Sequence, residues 1–176
     1  MIFYQTIDFL DWWRILLDTK LINELINCLK RIVQETPKFH IPEKGFYDNL
    51  NLKSSEFAFI VDVNRKGRKK SKFTLQLRNK ANKETPLLRL DLIGPDHPNP
   101  EGDFPFSGEV IPCPHLHIAH PEYGDSIAYP LSSKYANMYL SEAQFDDLVF
   151  ILKSFLKRCN VGNIDDIAYE YQTELI

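Results

Sequence analysis

The pattern of apolar positions changes twice along the chain. In residues 7–18, Ile7, Leu10, Trp12 or Trp13, Leu16 and Leu17 fall near one stripe, which predicts a short helix. In residues 20–35, Leu21, Ile22, Leu25, Leu29, Ile32 and Val33 keep the same period more strictly, and Pro37 marks the end of that second helix. Residues 37–55, with Pro42, Gly45 and several Asn, read as a linker. The period then shortens. EFAFIVDVN (56–64) and KFTLQLR (72–78), with Gly67 between them, predict a β-hairpin, and PLLRLDLI (86–93) a third strand. Within residues 94–130 only HLHIAH (115–120) and residues 126–129 read as strands. Ser141 begins S-E-A-Q, a capping box, and Phe145, Leu148, Val149, Leu152, Phe155, Leu156 and Cys159 continue it as one apolar stripe. Gly162 closes this last helix, and the tail after it adds at most a turn. Helices, hairpin-linked strands and a final helix predict an α+β fold: an antiparallel β-sheet with N-terminal helices and a C-terminal helix packed on it.

Composition narrows the class. A chain of 176 residues reads as a single domain and buries roughly 70% of its unfolded surface without staples. With 44% hydrophobic and 26% charged residues, disorder is excluded as the main state. Cys28, Cys113 and Cys159 are odd in number and widely spaced, which argues against a disulfide framework or a zinc knuckle and for a reducing compartment. Asp8, Asp11 and Arg14 interrupt the hydrophobic N-terminus, and no apolar run reaches membrane-spanning length. The expectation is a cytoplasmic protein with no membrane partner.

Charge adds a partner class. The net charge is −3, yet residues 62–83 alone carry +8, from Arg65, Lys66, Arg68, Lys69, Lys70, Lys72, Arg78, Lys80 and Lys83 against Asp62. Such asymmetry predicts an anionic partner for one face. The hairpin tip R-K-G-R-K-K is expected to grip phosphates, with Arg65, Lys66, Arg68, Lys69 and Lys70 as contacts, although lysines at a hairpin also serve simply to protect a sheet edge.

Candidate chemistry lies in residues 94–130, which hold eight of the eleven prolines, four of the seven glycines and four of the five histidines. Arg89 and Asp91 are two apart on a predicted strand and so share a face, with Leu88, Leu90 and Leu92 on the other. His115 and His117 are related in the same way, and His97 follows the third strand in a proline-rich loop. Arg, Asp and three His are the parts of an acid–base site for phosphodiester cleavage. A neutral imidazole takes the ribose 2′-hydroxyl proton and a protonated one supplies the leaving oxygen. An arginine fork stabilises the phosphoryl charge, and an aspartate orients an imidazole. His97 and His117 are expected as the base–acid pair, His115 as able to replace either, and the rings as partly exposed. No cofactor or metal is needed. The bland alternative is a cross-strand Arg89–Asp91 ion pair beside surface histidines.

Other readings stay open. H-L-H-x4-E (His115, His117, Glu122) approximates the first metal motif of cupin barrels, with Gly108 one position out of register and no second motif. Tyr123 and Tyr129 are placed to stack on bases. Cys113, between two prolines, has no base nearby and reads as structural.

D-V-N-R-x-G-R, L-L-R-L-D-L-I-G-P-D-H-P-N-P-E-G, I-P-C-P-H-L-H, Y-G-D-S-I-A-Y-P-L and F-L-K-R-C-N-V, over about residues 57–165, resemble an uncharacterised bacterial family, domain of unknown function 6978. On this resemblance residues 56–165 form the family-like core and residues 1–36 a helical extension. Arg89-x-Asp91, Pro95-x-His97 and Pro114-His115-x-His117 are also similar to the pattern of TumE-type toxins, which implies RNA as the target. The function expected is a metal-independent endoribonuclease of toxin or mobile-element type acting on RNA or a ribonucleoprotein, with a cognate antitoxin or defence-system protein as a further partner. The alternatives are a non-catalytic nucleic-acid or nucleoprotein binder, such as an antitoxin or phage counter-defence inhibitor, and a metal-dependent cupin-like enzyme.

Overall fold

A computed structural model describes residues 19–66 and 73–171. The helix expected over 7–18, and Arg68, Lys69 and Lys70 of the hairpin tip, lie outside these residues. The elements are helix α1 (Thr19–Asn27), strands β1 (Arg31–Ile32), β2 (Lys38–Ile41), β3 (Tyr47–Lys53), β4 (Ala58–Asn64), β5 (Phe73–Asn79), β6 (Leu88–Ile93), β7 (His97–Pro98), β8 (Val110–Ile111), β9 (His115–Ile118) and β10 (Ala128–Pro130), helix α2 (Leu148–Arg158) and strand β11 (Ala168–Tyr171). Seven strands form one antiparallel sheet in the order β1-β3-β4-β5-β6-β9-β10. β2 and β11 pair in parallel beside it, and β7 with β8 makes a small antiparallel ribbon. The fold is α+β, as the alternation predicts.

Period-two alternation sorts the sheet into two unlike faces. Leu50, Leu52, Phe59, Val61, Val63, Leu75, Leu77, Leu88, Leu90 and Leu116 are buried on one face. They join Ile22, Leu25 and Ile26 of α1 and Ile151, Leu152, Phe155 and Leu156 of α2 in one core. Each such side chain contributes about 1.5–3 kcal/mol on burial. The opposite face carries the polar positions, and the candidate chemistry lies there.

The sequence reading does not foresee β7 and β8 within 94–114, or β11 in the tail read as at most a turn, and three further boundaries depart from it. The helix predicted over 20–35 ends at Asn27. Ile32 instead pairs with Leu52 at the sheet edge, leaving Leu29 and Val33 of the apparent stripe exposed. The buried Lys30 ammonium receives the helix end: Nζ donates to the carbonyls of Ile26 (2.8 Å), Cys28 (2.9 Å) and, at the end of α2, Cys159 (3.0 Å). It also lies 4.8 Å from the Phe59 ring centroid. Negative carbonyl ends of both helices thus meet one cation. Second, the stretch read as a linker over 37–55 contains β2 and β3. In N-L-N-L-K the leucines are the core positions and the asparagines the outward ones. Third, the Ser141 box opens only a 3-10 turn at Glu142–Gln144. Gln144 Oε1 accepts from Ser141 N at 2.9 Å, while α2 begins after Asp147, whose Oδ1 accepts from Phe150 N at 2.9 Å.

Candidate active site

Pairing of β6 with β9 sets the site. Arg89 lies opposite His117 and Asp91 opposite His115, so two residues from each strand form a square on the polar face. Directly opposed side chains of an antiparallel pair stand close enough to touch. His97 arrives from β7. Asn99 holds that ribbon to β10, its amide accepting from Ala128 N (2.8 Å) and donating to the carbonyls of Ala128 and Phe106 (both 2.9 Å). Asp96 Oδ1 accepts from Cys113 N at 3.1 Å at the other end of the loop. The three imidazoles are thereby gathered, with ring centroids 4.5 Å apart for His97–His117, 5.8 Å for His97–His115 and 4.9 Å for His115–His117.

Hydrogen bonds assign parts within the cluster. Arg89 donates from Nε to Asp91 Oδ2 (3.1 Å), from Nη1 to Asp125 Oδ2, and from Nη2 to His117 Nε2 (2.9 Å). A guanidinium only donates, so His117 Nε2 presents its lone pair and its proton belongs on Nδ1. That Nδ1 is buried and has no hydrogen-bond partner among the described residues. Three of the five N–H groups of the guanidinium are taken up in this way, and the other two make no hydrogen bond among the described residues. Asp91 Oδ1 accepts from Thr74 Oγ1 at 2.9 Å. His115 Nδ1 lies 3.2 Å from the Pro112 carbonyl, which places the proton there and the lone pair on Nε2. His97 Nε2 donates to the Ser126 carbonyl at 2.8 Å, leaving Nδ1 as its basic atom.

Burial divides the cluster into two layers. His115 and His117 are only 2% and 1% exposed, which corrects the expectation of partly exposed rings. The His97 ring packs against both, so they form the floor beneath it. Arg89, Asp91 and Asp125 keep 23%, 20% and 31% of their side-chain surface, and His97 is half-buried. Burial pushes the pKa of both floor histidines below the usual imidazole value. His117 adds like-charge repulsion at His115, and Arg89 adds it at His117, against the opposing pull of Asp91. At neutral pH they are uncharged. Burial of Asp91 would raise its pKa, but the Arg89 charge and the hydrogen bond from Thr74 outweigh it and hold the carboxyl far below its usual range.

Asp91, His115 and His117 also offer one ligand atom each, all within 4.8 Å of one another. Glu122 of the cupin-like motif is not in that group, and the sheet that holds it is an open one with two edges, β1 and β10. Arg89 already engages Asp91 Oδ2 and His117 Nε2.

The remaining candidates lie elsewhere. Arg65 Nη1 donates to the Pro42 carbonyl (2.8 Å), and Lys66 Nζ stands 4.0 Å from the Tyr47 ring centroid. Tyr123 donates to the Glu101 carbonyl (3.2 Å) and packs against Phe104 and His120, so its ring is a loop brace. Tyr129 is buried, and Cys113 Sγ contacts the Asp91 carbonyl at 3.4 Å. Sequence reading missed Asp125, Asn99 and Thr74. The signal for Asp125 was Y-G-D-S: Gly124, at φ +58°, turns the loop that brings Asp125 and the Ser126 carbonyl back over β9.

The fold and cluster together define a class: an open antiparallel sheet with helices on one face and a His–Asp–Arg cluster on the other. The model of a family of unknown function (DUF6978) matches residues 17–161, and the chain belongs to that family. The match takes in α1 and β1–β3 as well as the stretch that carried the resemblance. Comparison with curated proteins and with solved structures returns no significant match. Among the described residues no helix is long and apolar enough to cross a membrane.

Proposed function

We propose that the protein is a metal-independent endoribonuclease, of toxin or mobile-element type, working in the cytoplasm. The observation that carries this reading is the convergence of three imidazoles, a guanidinium and a carboxylate from β6, β7 and β9 onto one patch. The two layers refine the roles. His97, the only one of the three rings that reaches solvent, takes the 2′-hydroxyl proton on Nδ1 and returns it to the leaving oxygen, directly or through water. Arg89 binds the phosphate through its remaining N–H groups. Asp91, Asp125 and His117 aim the guanidinium, and His115 supports Asp91 from beneath. Asp91 and Asp125 balance the Arg89 charge, so attraction of an anionic substrate falls to the basic stretch 62–83.

The Asp91–His115–His117 group supports a second, metal-dependent reading, since two imidazoles and a carboxylate are a recurrent set for divalent transition metals. Against it, a metal at about 2.0–2.2 Å needs the lone pairs Arg89 already engages. The test is incubation of wild type and His97→Ala with total RNA, with and without chelator. Cleavage that survives chelator and is lost in His97→Ala is expected. Loss with chelator selects the metal reading, and RNA retention without cleavage the binding-only alternative.

A further inference from the structure

The cluster is one end of a longer feature. Strand register places Tyr47, Asn64, Thr74, Asp91 and His115 in one row across β3, β4, β5, β6 and β9. A second row holds Asn49, Asp62, Gln76, Arg89 and His117. Paired residues of a sheet share a face, so both rows lie on the side away from the helices. Asn49, Asn51, Asn64 and Gln76 are half-buried and form a flat array of side-chain amides, in which Asn64 Oδ1 accepts from Lys66 N (2.9 Å) and Asn51 Oδ1 from Lys80 Nζ (2.6 Å). Asp62 in the second row is held by Arg78 at 2.6 Å. Tyr47, at the far end of the first row, is 57% exposed. Beyond it Arg65 and Phe46 extend the β3–β4 ladder by a backbone hydrogen bond of 2.9 Å, and Lys66 reaches over the Tyr47 ring.

We infer that this polar sheet face is a binding track for single-stranded RNA, running from the His97–Arg89 patch to a base stacked on Tyr47. This rests on the reading above for RNA as the ligand. Three strand spacings separate Tyr47 from Asp91, about 14 Å at ~4.8 Å each, so the stacked base lies outside the reacting centre. Amides without net charge suit base edges, whereas a face for duplex backbone would carry unpaired cations. An aromatic ring with an ammonium beside it suits an unpaired base and the phosphate that follows it. A duplex cannot present a free base face to Tyr47, so pairing should abolish this part of the affinity.

The test uses the full chain and a labelled 12-nucleotide 2′-O-methyl oligouridine, which cannot be cleaved, alone and annealed to its complement, read by fluorescence anisotropy. Tyr47→Ala is expected to weaken single-strand binding about five- to a hundredfold, with the salt dependence unchanged and Tyr47→Phe close to wild type. Unchanged binding by Tyr47→Ala, equal loss in Tyr47→Phe, or equal affinity for the duplex would overturn the track. The same proteins are assayed for cleavage of unmodified RNA. Cleavage by wild type with binding untouched by Tyr47→Ala removes the track alone, and binding as expected without cleavage removes the nuclease reading alone. Wild type that neither binds the single strand nor cleaves RNA removes both.

Discussion

Replacing His97 or His117 by alanine should separate chemistry from architecture. His97 is half-buried and makes one hydrogen bond, to the Ser126 carbonyl at 2.8 Å. Its removal should cost at most about 1 kcal/mol of stability but about 10²–10⁴ in cleavage rate. His117 is 1% exposed, accepts from Arg89 Nη2 at 2.9 Å and lies 3.5 Å from Asp91 Oδ2. His117→Ala opens a buried void and leaves a guanidinium N–H unpaired. Cavity and hydrogen-bond losses together come to about 2–4 kcal/mol. With a urea m-value of about 2 kcal/mol/M, the unfolding midpoint should fall by about 1–2 M. The assay is urea unfolding followed by circular dichroism, beside single-turnover RNA cleavage for each variant that remains folded. A His117→Ala midpoint equal to wild type would refute the two-layer reasoning. So would a His97→Ala protein that unfolds readily yet, when folded, cleaves at the wild-type rate.

The other predictions concern pH, the buried lysine and the arginine. Because folding lowers the pKa of His115 and His117, the unfolded chain binds more protons below its imidazole pKa of about 6.5, and stability should fall as pH drops through that value. The slope reaches as much as about 2.7 kcal/mol per pH unit if both rings stay neutral. Asp91 adds a later loss below about pH 4, since its stabilisation is complete only above the unfolded carboxyl value. Thermal melts from pH 8 to 2 check both steps, and a melting temperature flat between pH 7 and 5 would contradict the first. Lys30→Met should cost about 2–4 kcal/mol, because three carbonyls lose a charged donor, with the rate of RNA cleavage unchanged in the folded fraction. Arg89→Ala should free Asp91 Oδ2 and His117 Nε2 and create cobalt(II) binding detectable by visible absorption, where wild type shows none. Tight cobalt binding by wild type would favour the metal reading.

The parts of this structure legible in the sequence were those written in local periodicity. The alternation of 56–64, 72–78 and 86–93 gave strands β4–β6, and spacing by two gave the shared faces of Arg89 with Asp91 and His115 with His117. Tertiary pairing overrode local pattern elsewhere. Leu29, Ile32 and Val33 continue a helical stripe, yet Ile32 is recruited by Leu52 at the sheet edge and Lys30 stops the helix by binding its carbonyls. N-L-N-L-K was passed over as linker because asparagine is rare in strands, though its alternation was intact. The burial of His115 and His117 could not be read locally, because the His97 ring that packs on them comes from β7. Asp125 and Asn99 reach the site's frame through contacts 36 and 29 residues away, with Arg89 and Ala128.

The site shows why an R-x-D strand beside an H-x-H strand yields a cluster rather than two scattered pairs. Each motif alone fixes only that its two side chains share a face. Antiparallel register then decides which residues meet, and a slip of one residue would turn the histidines into the core and the leucines outward. Leu116, fully buried between the two histidines, makes that slip costly, so the apolar residue holds the register the polar ones need. The same register determines what occupies the centre. Arg89 lies opposite His117 and two positions from Asp91, so its guanidinium reaches both. An arginine there supplies a permanent cation without an open coordination position, and its charge depresses the Asp91 and His117 pKa values together. A neutral floor beneath a fixed cation holds the guanidinium without adding charge to it. Loss of Arg89 should therefore raise the His117 pKa as well as remove the phosphate clamp, which NMR titration of the imidazole resonances in Arg89→Ala would register as an upward shift.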